Sequence, residues 1–397
     1  MSKWGWLDEL IYNCTFVIQT TNLLSMEIKI HEVQTKGDLR KFIHFPASIH
    51  KNHNAWMPPI YADEWKFFNP KKNREFFYAD TILLLARSGS KTVGRIMGII
   101  NKRYNELHKE NYGRFIFMES VNNQEVAHAL IAAVESWVLR KGMSKLIGPL
   151  GFSDKDPQGF LIEGYEHRAI IDTTCNHPYM VELIKNEGYE KKVDLHDYLI
   201  KVPEVMPVLY ERIFERVSHK ADFKVVEFKT RKELKPYIIP VLELMNETYM
   251  HIYGFVPLTE GEMKDLAKRY LPILDPDFVK AVTIANEVVA FVIAMPDVSD
   301  GLKKSKGYLF PFGLFQILKS LKKSDHLVLL LGAIKPKYRG MGADAMMAVK
   351  LLDSAMKRNM RTIESHVILE TNGKMIAEAI KADGEIFKKF RIFQKDL

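Results

Sequence analysis

The sequence predicts a mixed α/β fold assembled from two tandem domains. Three observations carry that reading. Runs of strand length, alternating or fully apolar, are interleaved with amphipathic helical runs along the chain. Landmarks of the second half repeat those of the first at fixed offsets. A chain of 397 residues is also long enough for two ordinary domains.

The repeat fixes the organisation. Asn176, Glu182, Ile184, Lys185 and Gly188 recur as Asn372, Glu378, Ile380, Lys381 and Gly384, a constant offset of 196. Each stretch reads as an Asn-started helix stopped by Gly and followed by a basic, alternating strand. Upstream, Arg140-Lys-Gly-Met143 matches Lys357-Arg-Asn-Met360 at an offset of 217, each at the end of an amphipathic helix. The offsets differ by 21, so the first copy carries an insertion of that size around 148–167. A repeat this long means duplicated domains and not a solenoid. The boundary is expected near Val202-Pro203, giving domains 26–202 and 203–397. Residues 1–25 read as a loosely ordered extension, because the apolar run Leu10–Ile18 is too short to span a membrane and lacks signal-peptide flanks.

The elements follow in order. The first domain reads as strand Ile28–Val33, a helix, strands Ile82–Arg87, Gly94–Ile100 and Phe115–Glu119, helix 126–141, a strand, helix 178–186 and a last strand. The second reads as helix Glu204–Val217, strand Phe223–Phe228, helices Lys232–Tyr249 and 260–271, and strands Val279–Ile284 and Val288–Met295. After a long connection come strand Leu327–Ile334, helix 342–358, strand Thr362–Leu369, helix 373–381 and strand 387–394.

Composition narrows the function classes. With 47% hydrophobic and 27% charged residues the chain reads as globular, which excludes disordered, collagen-like and disulfide-stapled classes. Lys plus Arg exceed Asp plus Glu by 57 to 49, a net charge of +8. That suits an anionic ligand such as a coenzyme. The lysines are scattered and no reader motif is present, so nucleic acid is not an expected partner. The two cysteines, Cys14 and Cys175, build neither a disulfide framework nor a zinc cluster of the usual spacing, so no metal is expected and a reducing, cytoplasmic setting is.

The sharpest motif is Leu327-Val-Leu-Leu-Leu-Gly-Ala-Ile334-Lys-Pro-Lys-Tyr-Arg339-Gly340-Met-Gly342-Ala-Asp344. A buried strand enters a two-glycine turn that leads straight into a helix. Glycine permits the turn, and the helix N-terminus supplies unpaired N–H groups and a partial positive charge for an anion. The loop is too short for a P-loop. This order resembles the GNAT superfamily of CoA-dependent N-acyltransferases, whose signature is Arg/Gln-x-x-Gly-x-Gly/Ala between the fourth strand and the next helix. Arg339 and Gly342 fill the first two slots, and Asp344 departs from the third. The first half resembles the same fold without the loop, placing Asn122, Asn123 and Glu125 where the second has Arg339, Gly340 and Gly342. The whole resembles a tandem GNAT-fold acyltransferase.

The resemblance implies an acetyl-CoA or longer acyl-CoA substrate, with no metal. Arg339, Gly340, Met341, Gly342 and Ala343 are expected at its pyrophosphate, and the backbone of Ala333 and Ile334 along its pantetheine arm. It also implies direct transfer to a small-molecule or peptide amine. The acid that the family often places as a Tyr seven residues after the motif Asn is Ala379 here. For the base, the run Glu364-Ser-His366-Val-Ile-Leu-Glu370-Thr-Asn372 puts Glu364, His366, Glu370 and Asn372 on one strand face by its period of two. Glu370, at the strand end, is the favoured base and His366 the second, while Asn372 reads as a helix cap and Glu364 as a bystander. The insertion offers Asp154, Asp156, Glu163, Glu166 and His167 as an exposed loop or a polar wall for a cationic amine. Residues 301–326 set Phe312, Phe315 and Leu318 among lysines. That pattern suits packing on the other domain, a wall for a long acyl chain, or a weak membrane-surface contact. The competing class is an acyl-CoA-binding protein without turnover, which Asp344 and the missing Tyr favour.

Overall fold

The structure, a computed structural model, describes residues 27–218 and 222–397. The expected extension 1–25, with Cys14, lies outside the described residues. In the first half come β1 (Ile28–Glu32), β2 (Ala79–Ser88), β3 (Lys91–Asn101), β4 (Gly113–Ser120), β5 (Lys145–Gly148), β6 (Phe160–Glu163) and β7 (Glu190–Lys201). The second half supplies β8 (Lys224–Glu227), β9 (Val279–Ile284), β10 (Glu287–Pro296), β11 (His326–Ile334), β12 (Thr362–Ser365), β13 (Ile368–Leu369) and β14 (Glu385–Asp396).

All of these strands join one mixed sheet, in the order β1-β2-β3-β4-β5-β14-β7-β12-β11-β10-β9-β8, with β6 on β14 and β13 on β7. The order is its own reflection about the central β14–β7 pair. Each half has sent its last strand across: β14 lies against β5, and β7 lies against β12. The two exchanged strands then pair with each other from Glu385↔Leu199 to Gln394↔Glu190. Nothing in local periodicity announces this exchange, because a strand reads the same whichever neighbour it meets.

One long helix covers each half of the sheet. Gln124–Arg140 buries Val126, Leu130, Val134 and Val138 against the first half. Ala343–Lys357 buries Met346, Met347, Leu351 and Ala355 against the second. Truncating one such residue, Leu130→Ala, costs roughly 2–5 kcal/mol. Caps set the helix starts: Asn123 accepts from Val126 N–H, Asn372 from Met375 N–H, and Thr259 forms a reciprocal capping box with Glu262.

Three expectations change. Asn176 does not cap the helix Tyr179–Asn186. Its side chain instead accepts from Leu161 N–H at 2.7 Å and donates to Leu161 O, anchoring β6 of the insertion. Helix 232–249 is interrupted at Pro236, which supplies no N–H: an α-helical turn Arg231–Leu234 and a 3-10 turn Lys235–Tyr237 precede the helix Ile238–Tyr249. The strand expected over 362–369 is broken into β12 and β13.

Candidate functional site

Both halves contain a fork where two parallel strands part. In the first, β4 and β5 pair only at Gly113↔Leu146 and Arg114↔Ile147. In the second, β11 and β12 pair from His326↔Thr362 to Leu329↔Ser365, and the amide of His366 donating to Leu329 O is the last link. Beyond it β11 runs on beside β10. Lys335 N–H bonds Val289 O, and Ala333 is in register with Phe291, so the ladder turns the backbone of Ala333 toward β10 and that of Gly332 and Ile334 into the fork. Of the two residues expected along a pantetheine arm, the structure therefore brings Ile334 to the fork edge and turns Ala333 away. The Ile334 carbonyl accepts from Arg339 Nε at 3.1 Å, and the Tyr249 hydroxyl serves Gly332.

The turn after β11 has the shape its glycines require. Gly340 has φ +72° and Gly342 φ +97°, a region costly for any residue with a Cβ. A Cβ at Gly342 would also meet Val217 of the helix Val208–Ser218 at 2.3 Å. Ala343 begins the long helix, whose first N–H groups have no intrahelical acceptor. Met341 is 49% exposed. Arg339, Gly340, Met341, Gly342 and Ala343 thus form one continuous loop at a helix N-terminus, with Asp344 in the first turn, where an acid is ordinary for a helix but poor for a phosphate. The first half has only Val121-Asn122-Asn123 at this point, with Asn123 spent on the cap.

The two carboxylates and the histidine expected on one face separate. β12 pairs with β7 as Glu364↔Leu199, but β13 pairs as Ile368↔His196. One extra residue lies between them, and a one-residue slip inverts the alternation. Glu364 is buried, bonding Lys388 Nζ at 2.6 Å and His326 Nε2 at 2.8 Å, so it is a central charge of the sheet and no bystander. Glu370 accepts from Lys191 Nζ at 2.7 Å and from Asp194 N–H at 2.9 Å. Although partial burial opposes it, these two donors hold its carboxyl below the usual range. Glu370 lines neither cavity described below.

His366 lies at the fork and lines a cavity of about 600 Å³. Part of its wall is apolar, with Tyr237, Val241, Leu242, Met245, Ile293 and Leu331 of the second half. The rest is charged, with Glu64, Glu75, Asp154, Lys155, Asp156 and Asp172 of the first half and Glu262, Asp265 and Arg269 of the helix Glu260–Tyr270. A smaller cavity of about 190 Å³, in the first fork, shares Glu64, Asp156, Asp172 and Arg269 with it. Burial lowers the pKa of His366, which faces the backbone of Ile171 and Asp172. Burial also pushes Glu64 up to about 7, against the pull of Arg95 and Arg269, and Asp156 up to about 6, although Phe152 N–H donates to it at 2.7 Å. Asp172 accepts from Tyr270 OH and from Arg269 Nη2.

Of the insertion's polar residues, Asp154 and Asp156 reach this cavity. Glu163 pairs with Lys389, and Glu166 with His167. Sequence reading missed Glu64, Asp172, Arg269 and Tyr249, which come from elements distant in the chain and carry no spacing signal. It also missed His50, His53 and His177, whose ligand atoms all lie within 4.8 Å of one another. Their only trace in the sequence is the pair of short motifs His50-x-x-His53 and Cys175-x-His177.

Among the described residues no helix is long and apolar enough to cross a membrane. No protein-family model matches the chain. Over 393 residues it is 26% identical to Protein YghO of Escherichia coli (strain K12), covering 96% of this chain and 98% of that protein. Over 383 residues it is 26% identical to a protein named bacterial ceramide synthase from Caulobacter vibrioides (strain NA1000 / CB15N), covering 94% of this chain and 98% of the other. Among solved structures it is similar to a tandem GNAT protein from the clavulanic acid biosynthesis pathway, with a TM-score of 0.53 at 11% identity over 93% of this chain and 98% of that one. A GCN5-related glucosamine N-acetyltransferase region in a fungal multi-domain GH3 β-N-acetylglucosaminidase gives a TM-score of 0.54 at 9% identity, covering 94% of this chain and 38% of that one. With two forked halves, and a glycine turn and helix start beside the second fork, the chain has the tandem GNAT fold.

Proposed function

We propose that the chain is an acyltransferase that moves a long acyl group from acyl-CoA to the amine of a long-chain acceptor. The single observation that carries this reading is the large cavity beside the second fork, whose wall joins an apolar patch to charged residues and His366. Its volume lies within the range of small-molecule sites, and its two kinds of wall suit the two parts of an amphipathic amine. The relative named bacterial ceramide synthase supports the same chemistry, since a ceramide is the amide of a long-chain amino alcohol.

The loop Arg339–Ala343 holds the CoA pyrophosphate, and the pantetheine arm lies along the fork edge of β11, where it takes over the backbone of Gly332 and Ile334 from the Tyr249 hydroxyl and Arg339 Nε. The carboxylates of the charged wall attract the ammonium form of the acceptor. After it loses a proton, the amine nitrogen attacks the thioester carbonyl and a C–N bond forms. The second nitrogen proton passes to His366, which burial keeps neutral and able to accept it. The C–S bond then breaks, and the leaving thiolate takes up a proton to give free CoA and the amide.

The region 301–326 forms two helices, Ser299–Ser305 and Gly313–Lys323. Leu302, Ile317 and Leu321 pack on Ile171 and Met295, while Phe310, Phe312 and Phe315 are 87%, 72% and 69% exposed among exposed lysines. In this reading that face meets an anionic bilayer from which a long-chain substrate is drawn.

The test is thiol release from a long acyl-CoA donor in the presence of amines of increasing chain length. Release should rise with acceptor length, and Leu242→Trp should suppress the longest acceptors while sparing the shortest. CoA binding without release for any amine would leave an acyl-CoA-binding protein, the reading that Asp344 favours.

A further inference from the structure

We propose that His50, His53 and His177 bind a divalent transition-metal ion, zinc by the chemistry of the donors, with Cys175 as fourth ligand. The inference is independent of acyl transfer.

Two separate chain segments bring these groups together. His50 caps the end of the helix Lys36–Ile49, His53 lies in the loop beyond it, and Cys175 and His177 flank Asn176 ahead of the helix Tyr179–Asn186. His50 Nδ1 and His53 Nδ1 are 2.9 Å apart, and Cys175 Sγ is 3.9 Å from His53 Nδ1. Nitrogens bound tetrahedrally at about 2.0–2.1 Å from zinc sit roughly 3.3 Å apart, so His50 and His53 need shifts of a few tenths of an ångström. His177, within 4.8 Å of both, and Cys175, which lies near His53 but outside that group of three, must close in further on the ion.

The far sides of two rings face the acceptors that ligating imidazoles usually bond, and the buried His50 Nε2 and Glu119 Oε2 have no other hydrogen-bond partner. His50 Nε2 faces Glu119 Oε2 at 3.4 Å, and Arg95 holds that carboxylate at 3.0 Å. His177 Nε2 faces the carbonyl of Ile49 at 3.3 Å. Each bracing contact leaves Nδ1 for the cluster. A single N–H···N bond between His50 and His53 accounts for one pair of nitrogens and gives the third imidazole nothing, whereas a cation engages all three. Imidazole with one thiolate is a borderline-soft set that zinc favours, and four protein ligands leave no open position. The ion therefore braces structure. Trp56, Met57, Thr174, Cys175 and Asn176 all wall the smaller cavity, so the metal fixes the shape of that wall.

The test uses the untagged full chain. Metal analysis after zinc loading and gel filtration should give one zinc per chain. His53→Ala should weaken zinc in a competition titration by more than the roughly 10–100-fold that loss of an outer partner costs. Its metal-free melting temperature should match that of the chelated parent, which shows that the variant folds. Cobalt substitution of the parent gives a readout that needs no variant: intense four-coordinate bands, and a thiolate charge-transfer band that Cys175→Ser removes. Absence of bound zinc in the parent, equal affinity in a folded His53→Ala, or a six-coordinate cobalt spectrum overturns the proposal.

Discussion

The hydroxyl of Tyr249 makes both backbone bonds of Gly332, donating to its carbonyl at 2.9 Å and accepting from its N–H at 3.3 Å. Gly332 sits on the open edge of β11, where no neighbouring strand supplies a partner. A half-buried aromatic on the helix Ile238–Tyr249 thus does for one residue what a strand, or a peptide-like ligand, does for several.

Removing that hydroxyl should separate its two effects. Tyr249→Phe leaves a half-buried N–H and C=O unpaired, at a cost of about 1–3 kcal/mol. Thermal unfolding should show a lower midpoint without CoA and a larger upward shift with CoA than the parent shows. An unchanged midpoint would mean that water replaces the hydroxyl at no cost.

The anion loop is best probed at Met341. A substitution at Gly342 has to displace Val217 and adopt positive φ, so it mixes folding with binding. Met341 is exposed, and Met341→Glu places a carboxylate beside the helix start without either problem. CoA affinity by calorimetry should fall about tenfold or more, about 1.4 kcal/mol, with the melting temperature unchanged. Equal affinity would remove this loop from CoA binding.

His366 and Glu370 make opposite predictions. His366→Gln should lower turnover by roughly 10²–10⁴ while leaving CoA affinity intact. Glu370→Gln loses an exposed ion pair with Lys191, worth about 0–1 kcal/mol, and should keep its turnover. The reverse pattern in steady-state rates would return the base to Glu370.

Glu64 should impose a pH dependence near neutrality. Its carboxyl titrates at about 7, so the negative charge that draws the ammonium is lost as pH falls below that value. The acceptor KM of the parent should rise below pH 7, and that of Glu64→Gln should be high and flat. Stability runs the other way. A carboxyl whose folded pKa is raised stabilises the fold below its unfolded pKa, near 4.5, and that contribution is lost as pH rises through about 7. Chemical denaturation from pH 4.5 to 8 should therefore show the parent losing stability relative to Glu64→Gln.

The exposed aromatics predict lipid contact. The full chain should co-sediment with vesicles containing anionic lipid, and paired Phe310→Ser and Phe315→Ser substitutions should reduce the bound fraction without changing the melting temperature. Equal binding by parent and variant would place any contact elsewhere.

Most elements were legible because each depends on local pattern: β9 and the helix Gly373–Lys381 match their expected spans, and the Asn372 cap is where its side chain suggested. The site was less so. A period-two argument put Glu364 and Glu370 on one face, and a single extra residue after Ser365 undid it, because alternation carries no memory past a bulge. The cavity's wall joins Glu64 to His366 across some three hundred positions of sequence. No spacing rule reaches that far. The repeat showed that two units exist, but not that they trade strands.

The trade has a consequence during synthesis. β5 is made by residue 148, yet the strand that lies beside it is Glu385–Asp396, more than two hundred residues later in the chain. Until then the emerging chain carries an open strand edge and an uncovered apolar seam around Leu146, a state prone to mispairing. The contacts that close it are among the most distant in sequence that the chain makes, so closing should be slow and should come late. Chaperones that shield open strand edges would have the time taken to make the intervening residues in which to act on it, and deletion of Glu385–Asp396 should strand the protein in that unfinished form.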